Sequence, residues 1–293
     1  MKRIRFKIYN MQLALKKLEE AFFKSLMILS AISILSVLLF IIYSIVRKGL
    51  PSLNWEMISE IPTGGFYLGK EGGILNAIIG SIYIVIGSVI FSIIISLPIV
   101  MYINFHLKKN SFYKEVCRFS YDILFGIPSI VYGAFGFVVM IYFGLKASLL
   151  GGIVTVGMLI LPIMIRSIDE VARRVPNELI ETPQALGSTK FEMIKVIIRQ
   201  IMPGITTAIL LSVGRAIGDA ATVLFTAGYT DSIPTSFNQQ TATLPLAIFF
   251  QLGSPIEEVQ NRAYAAALIL TIIVLILSLS ARFFSRKLSK NKI

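Results

Sequence analysis

The chain has one cysteine, one histidine and one tryptophan among 293 residues, and only 15% of it is charged. With Cys117 alone, no intrachain disulfide can form. With His106 alone, no pair of histidines can hold a metal, and no Gly-x-Ser-x-Gly elbow is present to carry a nucleophile. Acids are scarce as well, 16 Asp and Glu against 28 Lys and Arg, which gives a net charge of +12. Apolar residues are what the chain has in excess: 55% is hydrophobic and the mean hydropathy is +0.78. A soluble domain holds about 45–50% apolar and about 25% charged residues. A purely soluble enzyme, a disordered tail, a collagen and a disulfide scaffold are therefore excluded.

The apolar excess is organised in runs. A bilayer-spanning helix needs about 20 mostly apolar residues. Residues 25–46, 72–105, 123–145, 147–165, 203–228 and 263–281 are such runs, the fifth interrupted by Arg215 and Asp219. In lipid the backbone must satisfy its own hydrogen bonds, so runs of this length predict helices. They do not alternate, as barrel strands would. The expected fold is all-α and polytopic, with six transmembrane helices in one domain over 25–285, a basic segment at 1–24 and a tail at 286–293. The first run has 22 residues, too long for a signal-peptide core of about 7–15, and is expected to stay as a helix.

Six spans put both termini on one side, and the basic residues choose which. Lys and Arg crowd into 1–24, 104–120, 166–202 and the tail, 22 of them, against five on the opposite side. The positive-inside rule then predicts cytoplasmic termini in the cytoplasmic (inner) membrane. It also accounts for the net charge through topology and contact with anionic lipid, with no nucleic acid partner.

Two loops are long. Residues 47–73 are rich in glycine and contain Pro51 and Pro62, which reads as turns, with Trp55 expected at the outer membrane interface. Residues 229–262 are cut by Pro234, Pro245 and Pro255, and Leu244–Leu252 reads as a short interfacial helix. The loop at 166–202 reads as two short helices with a corner at Gly187, Pro183 in a first helical turn, and an apolar stripe of Phe191, Ile194, Ile198 and Ile201. Pattern alone also allows this stripe to lie flat on lipid.

Few residues carry chemistry. Gly64–Lys70 fits the start of a phosphate-binding loop, but Glu71 stands where Ser or Thr would hold magnesium. Arg215 and Asp219 are the sharpest feature. Four residues apart, they share a helix face and can pair. Charge within a span is costly and by default points to a permeation path; a pair that only locks helices together is the alternative. Gly214 and Gly218 flank them and allow close helix packing. Arg166 ends the fourth span, where a snorkelling arginine is common. Asp122 opens the third span and reads as an acid at a helix N-terminus.

Glu181-Thr182-Pro183-Gln184-Ala185-Leu186-Gly187 resembles the EAA-x-x-x-G loop of ABC importer permeases, and Ile197 falls at that family's isoleucine. Thr182-Pro183 replaces Ala-Ala, and Arg199-Gln200 stands where Leu-Pro is usual. Residues 126–133 (GIPSIVYG), 214–219 (GRAIGD), 224–228 (LFTAG) and 244–249 (LPLAIF) are similar to the Pst phosphate importer, the last two to its A-type permease subunit. The resemblance covers about 70–285 and implies a type I ABC permease fold with coupling helices in about 170–202.

What the resemblance implies about function follows residue by residue. Glu181, Ala185, Leu186 and Gly187 would couple to an ATPase. Arg215, Asp219 and Arg166 would line the substrate pathway, with Asp219 in place of the more usual Glu. The chain would hold no catalytic residue, metal or cofactor of its own. ATP and magnesium would be used by two ATP-binding cassette subunits. A second permease (as a heterodimer), an extracytoplasmic phosphate-binding protein, inorganic phosphate and membrane lipid complete the expected partners. Passage of another oxyanion or small solute, an ion-coupled secondary transporter and an intramembrane enzyme are the competing readings.

Overall fold

The computed structural model describes residues 2–63, 72–108, 111–185 and 187–289; at 2–15, 184, 281–282 and 284–289 it describes the backbone alone. The elements follow from the apolar runs. Helix α1 is Lys2–Gly49, a short α2 is Trp55–Ser59, and α3 is Leu75–Phe105. Then come α4 (Phe112–Gly126), α5 (Ser129–Tyr142), α6 (Leu149–Ala172), α7 (Glu178–Ala185) and α8 (Lys190–Ile217). The chain closes with α9 (Val223–Thr226), α10 (Leu244–Leu252) and α11 (Glu257–Ser289). Among the described residues there is no strand beyond one isolated bridge between Pro62 and Gly72. Five helices are long and apolar enough to cross a membrane, or six if α4 and α5 count as one bent span. The protein is a multi-pass membrane protein.

The centre of the bundle is α3, α6 and α8. Small residues bring α3 and α6 together, as is usual where lipid provides no driving force between helices. The Ser88 and Ser92 hydroxyls donate to the Ile153 and Gly157 carbonyls at 2.9 and 2.7 Å. Gly157 lies against Phe91 and Gly87 against Ile153. On α8 the buried stripe is Met193, Ile197, Ile201, Ile205, Ala208, Ser212 and Ala216, at steps of four and three. This corrects the expected stripe: Ile201 belongs to it, Ile194 and Ile198 flank it, and Phe191 is 78% exposed. Helix α1 sits at the edge, on α11, with Gly49 against the Tyr264 carbonyl and the Lys48 ammonium 4.8 Å from the Tyr264 ring centre.

Three spans differ from their expected form. The run 123–145 is not one helix. It breaks at Ile127–Pro128, and α4 and α5 meet at 101°. Proline disfavours helical backbone in the residue before it, and Ile127 is extended. At 14 residues, α5 is about 21 Å long, short of a ~30 Å hydrocarbon core. The run 203–228 is not one helix either: α8 starts at Lys190, inside the expected loop, and stops at Ile217. Helix α6 continues past the charge-free run to Ala172.

The loop 173–189 does turn at Gly187, whose φ of +79° suits glycine. Its second helix is not short, because it is the same helix as the fifth span. Pro183 lies near the C-terminal end of α7, not in its first turn. Helix α10 has the expected bounds but is wedged inside, with Leu244, Leu246 and Ala247 buried and the Leu244 N–H donating to Ser81 Oγ at 2.8 Å. Gly64–Lys70 and Leu186 lie outside the described residues.

For six alternating crossings, 106–128 and 173–189 lie at the end of the bundle that holds both termini. Residues 50–74, 143–148 and 227–256 lie at the other, and the turn at 218–222 sits inside the bundle against the start of α5. These are called the near and far ends below.

A candidate anion pathway and a coupling surface

Asp219 sits one residue beyond the C-cap Gly218 of α8, so it is off the helix that carries Arg215. The pair nonetheless forms, Arg215 Nη2 to Asp219 Oδ1 at 3.5 Å. The second carboxylate oxygen, Oδ2, accepts the Thr222 backbone N–H at 2.8 Å. A short acid that bonds backbone two to three residues on competes with helix, and this turn replaces the helix that the apolar run predicts. Asp219 is 3% exposed and Arg215 46%. The carboxylate is therefore fixed by the fold, and the guanidinium is held at one edge only.

The turn is clamped by α5. Thr222 Oγ1 donates to the Ser129 carbonyl at 3.2 Å. A Cβ on Gly133 would stand 2.8 Å from the Ala221 carbonyl and 2.9 Å from that of Thr222, so only glycine allows this approach. Thr226 then accepts the Ser148 N–H at 2.9 Å, and the Ala227 carbonyl accepts from Thr241 at 2.9 Å. Of the segments with family-like sequence, 126–133 thus meets the turn that follows 214–219, and 224–228 runs on from that turn to Ser148 and Thr241. In the loop beyond, burial pushes the Asp231 carboxyl above its ordinary range. Burial first, and then the Asp231 charge, push the Tyr229 phenol up.

Arg166 is elsewhere. Its Nη1 pairs with Asp122 Oδ1 at 3.3 Å, and its guanidinium lies 5.4 Å from the Phe125 ring centre. Asp122 is in the C-terminal half of α4, not at a helix N-terminus as the sequence suggests. Ile165 and Ile168 share a buried cluster with Ile197, Ile201 and Ile205, while Val156 and Ile160 share the next with Ala216 and Ile217. At ~1.5 Å per residue, Arg166 lies about 15 Å along the axis from Arg215. The structure does not bring the three expected pathway residues together; it sets two cation–acid pairs at two depths.

Sequence reasoning missed the most heavily bonded acid. Asp169, 1% exposed, joins three helices at the near end. Tyr121 donates to its Oδ2 at 2.7 Å and Asn104 to its Oδ1 at 2.6 Å. Arg118 donates through Nε at 3.2 Å and Arg173 through Nε at 2.8 Å. The missed signal is an acid with an arginine at i+4, Arg173, on a helix whose buried stripe (Ile165, Ile168, Ala172) outlasts the charge-free run.

The residues expected to couple to an ATPase are on the near-end surface. Glu181 and Ala185 are exposed on α7, and a Cβ added at Gly187 would meet nothing within 4 Å. The next helix begins with a capping box: Thr189 Oγ1 accepts the Glu192 N–H at 3.3 Å, and Glu192 Oε2 accepts the Thr189 N–H at 2.8 Å. Gly214 and Gly218 also face open space: a Cβ added at either would meet nothing within 4 Å among the described residues. Among the described residues no group of three or more His, Cys, Asp or Glu could hold a metal.

A helical membrane bundle with an exposed elbow at one end and paired charges along its centre is the form of a transport permease. The model of the binding-protein-dependent transport system inner membrane component family matches residues 94–291, and the chain belongs to that family. It is 32% identical over 257 residues to the phosphate transport system permease protein PstA of Pasteurella multocida, covering 86% of this chain and 89% of that one. The PstA of Yersinia pestis is 33% identical over 252 residues, 85% of this chain and 84% of the relative. Among solved structures, an inward-facing MetNI methionine ABC transporter chain shares the fold at TM-score 0.60 and 17% identity, over 73% of this chain and 95% of its own. A chain of a bacterial alginate ABC transporter, solved with an alginate-bound periplasmic protein, does so at TM-score 0.56 and 16% identity, over 91% of this chain and 96% of its own.

Proposed function

We propose that this chain is the permease subunit of an ATP-driven importer that carries inorganic phosphate inward by alternating access. The observation that carries it is the Arg215–Asp219–Thr222 arrangement. Phosphate has one to two negative charges near neutral pH, and a guanidinium offers it a planar fork that never loses its own charge. Asp219 cannot follow the arginine, because its other oxygen holds the Thr222 N–H. An arriving anion therefore competes with a fixed acid for a half-exposed cation. Without the acid, the anion would be held too tightly to leave.

The near end faces the cytoplasm on this reading, as the 22 basic residues on that side favour. The sequence completes no phosphate-binding loop, since Glu71 follows Lys70, and on this reading ATP and magnesium act in two ATP-binding cassette subunits. One docks on α7 and the Gly187 corner. A second permease, different in sequence, faces this one across the pathway, and the open Gly214–Gly218 stripe is offered to it. An extracytoplasmic phosphate-binding protein delivers to the far end. ATPase closure pushes α7, and the following helix, Lys190–Ile217 with Pro203 inside it, leads from the Gly187 corner to Arg215 and carries the push.

This docking is testable. Glu181→Arg with Ala185→Arg places two cations on the docking face, where both positions are exposed and packing is untouched. We expect the ATPase subunit to be lost when the complex is purified through a tag on this chain, with the chain itself at normal membrane levels. Retention of the ATPase at wild-type yield would show that α7 is not the docking element.

A further inference from the structure

Only five of the 28 basic residues fall on the far side of the six crossings, the side that the positive-inside rule disfavours. Two of the five are adjacent, Arg47 and Lys48, in the last turn of α1. Cations there complement the C-terminal end of the helix dipole, which accounts for their sign. It does not account for what they face. Between α1 and α11 lies a cleft of about 910 Å³, and both cations line it. That volume is within the ~300–1,000 Å³ of small-molecule sites.

Each helix gives the cleft one face. Helix α1 supplies Phe40, Tyr43, Arg47 and Lys48, and α11 supplies Glu257, Asn261 and Tyr264, both at helical spacing. The lining changes along the axis. Phe40 lies about 12 Å below Lys48 at ~1.5 Å per residue. Phe40 and Tyr43 belong to the charge-free run 25–46, and the charges begin where that run ends. An aromatic floor under a charged rim, at the level where a span leaves the bilayer, matches an amphiphile. The charges are also available. The Lys48 ammonium rests 4.8 Å from the Tyr264 ring centre, and among the described residues neither Arg47 nor Glu257 is in an ion pair. Two cations against one carboxylate leave the cleft with one positive charge in excess.

We propose that this cleft binds one anionic glycerophospholipid of the far-end leaflet, a phosphatidylglycerol. The phosphodiester sits on Arg47 and Lys48, where the guanidinium fork takes two phosphate oxygens and the single negative charge cancels the excess cation. The headgroup hydroxyls are donors, and the opposite wall offers acceptors in the Glu257 carboxylate and the Asn261 amide oxygen. An acyl chain leaves past Tyr43 and Phe40 into the bilayer. A headgroup with its own ammonium brings no net charge and leaves the excess cation uncompensated. The bound lipid ties the edge helix α1 to α11, beside the direct contact of Gly49 with the Tyr264 carbonyl.

The test uses the assembled transporter, stripped of lipid by detergent exchange, and phosphatidylglycerol carrying a diazirine on one acyl chain near its ester. After illumination, the labelled peptides are read by mass spectrometry. We expect label in segments 40–48 and 257–264. Unlabelled phosphatidylglycerol should compete for it, and phosphatidylethanolamine should need about fivefold more, the effect of one interfacial charge. In Arg47→Gln with Lys48→Gln, half-labelling should need about tenfold to thirtyfold more probe, the effect of two. Both side chains are exposed and Gly49 is untouched, so the helix contact should survive. Arg47→Lys with Lys48→Arg keeps both charges and should label like wild type.

Absence of label from both segments would show that the cleft is no lipid site. Equal competition by phosphatidylethanolamine would overturn the choice of an anionic headgroup, and this comparison needs no variant to fold. Displacement of the probe by inorganic phosphate at millimolar concentration would show that the cleft takes the free anion and not a lipid. Unchanged labelling in Arg47→Gln with Lys48→Gln would show that the two cations do not hold the headgroup.

Discussion

Arg215→Gln is expected to lower phosphate uptake by cells about tenfold to a hundredfold, with the chain at normal levels in the membrane. Glutamine keeps the length and polarity of the side chain but removes the charge. A charge-assisted hydrogen bond is worth about 1.5–3 kcal/mol, and each ~1.4 kcal/mol is tenfold in rate. The fold should survive for a specific reason. The turn after α8 is held by the Asp219 contact to Thr222 and by Thr222 to Ser129, and neither bond uses the guanidinium. Arg215 is 46% exposed, so its loss leaves no buried void. Labelled phosphate uptake, paired with quantitative detection of the chain in isolated membranes, separates the two effects. Normal uptake at normal levels would remove Arg215 from the pathway.

Asp169→Ala is expected to fail differently. The substitution strips the acceptor from Arg118, Arg173, Tyr121 and Asn104 at once. Removing one partner of a buried ionic network costs about 3–5 kcal/mol, against a total stability of about 5–15 kcal/mol for a folded domain. The chain should be degraded or should lose its assembly, with melting by fluorescence-detected size exclusion lowered well below wild type. Asp169→Asn should be milder, since the amide oxygen still accepts while its NH2 faces the guanidinium groups. An Asp169→Ala chain with wild-type level and melting would mean that the near-end network contributes little.

These two residues mark what the sequence discloses and what it hides. The spans are legible because lipid imposes a length and forbids charge, so charge-free runs locate α1, α3, α6 and α11 directly. Local backbone chemistry is harder to read from such runs. Pro128 bends the third span, and the Asp219 turn ends the fifth, yet both lie inside apolar stretches that look continuous. The start of α8 is hidden for the opposite reason. Its first turns are charged, and only the steps of four from Met193 to Ile205 show that one helix continues into the bundle.

The candidate site was half visible. Arg215 and Asp219 stand out as charges in an apolar run. Their four-residue spacing suggests a helical pair, while the structure forms the pair across a turn. Asp169 is hidden among the basic residues of what reads as a loop. The Asp122–Arg166 pair depends on α4 lying across α6, which no spacing in one chain reveals.

The central claim is that this chain conducts phosphate past Arg215 while a separate motor supplies the work. The most direct measurement is accumulation of labelled phosphate by proteoliposomes holding both permeases and the ATPase subunits, with the binding protein outside and ATP enclosed. The account predicts accumulation that requires enclosed ATP, resists excess sulfate, and is lost in Arg215→Gln vesicles. Accumulation driven by an ion gradient without ATP, or unchanged in the Arg215→Gln vesicles, would contradict it.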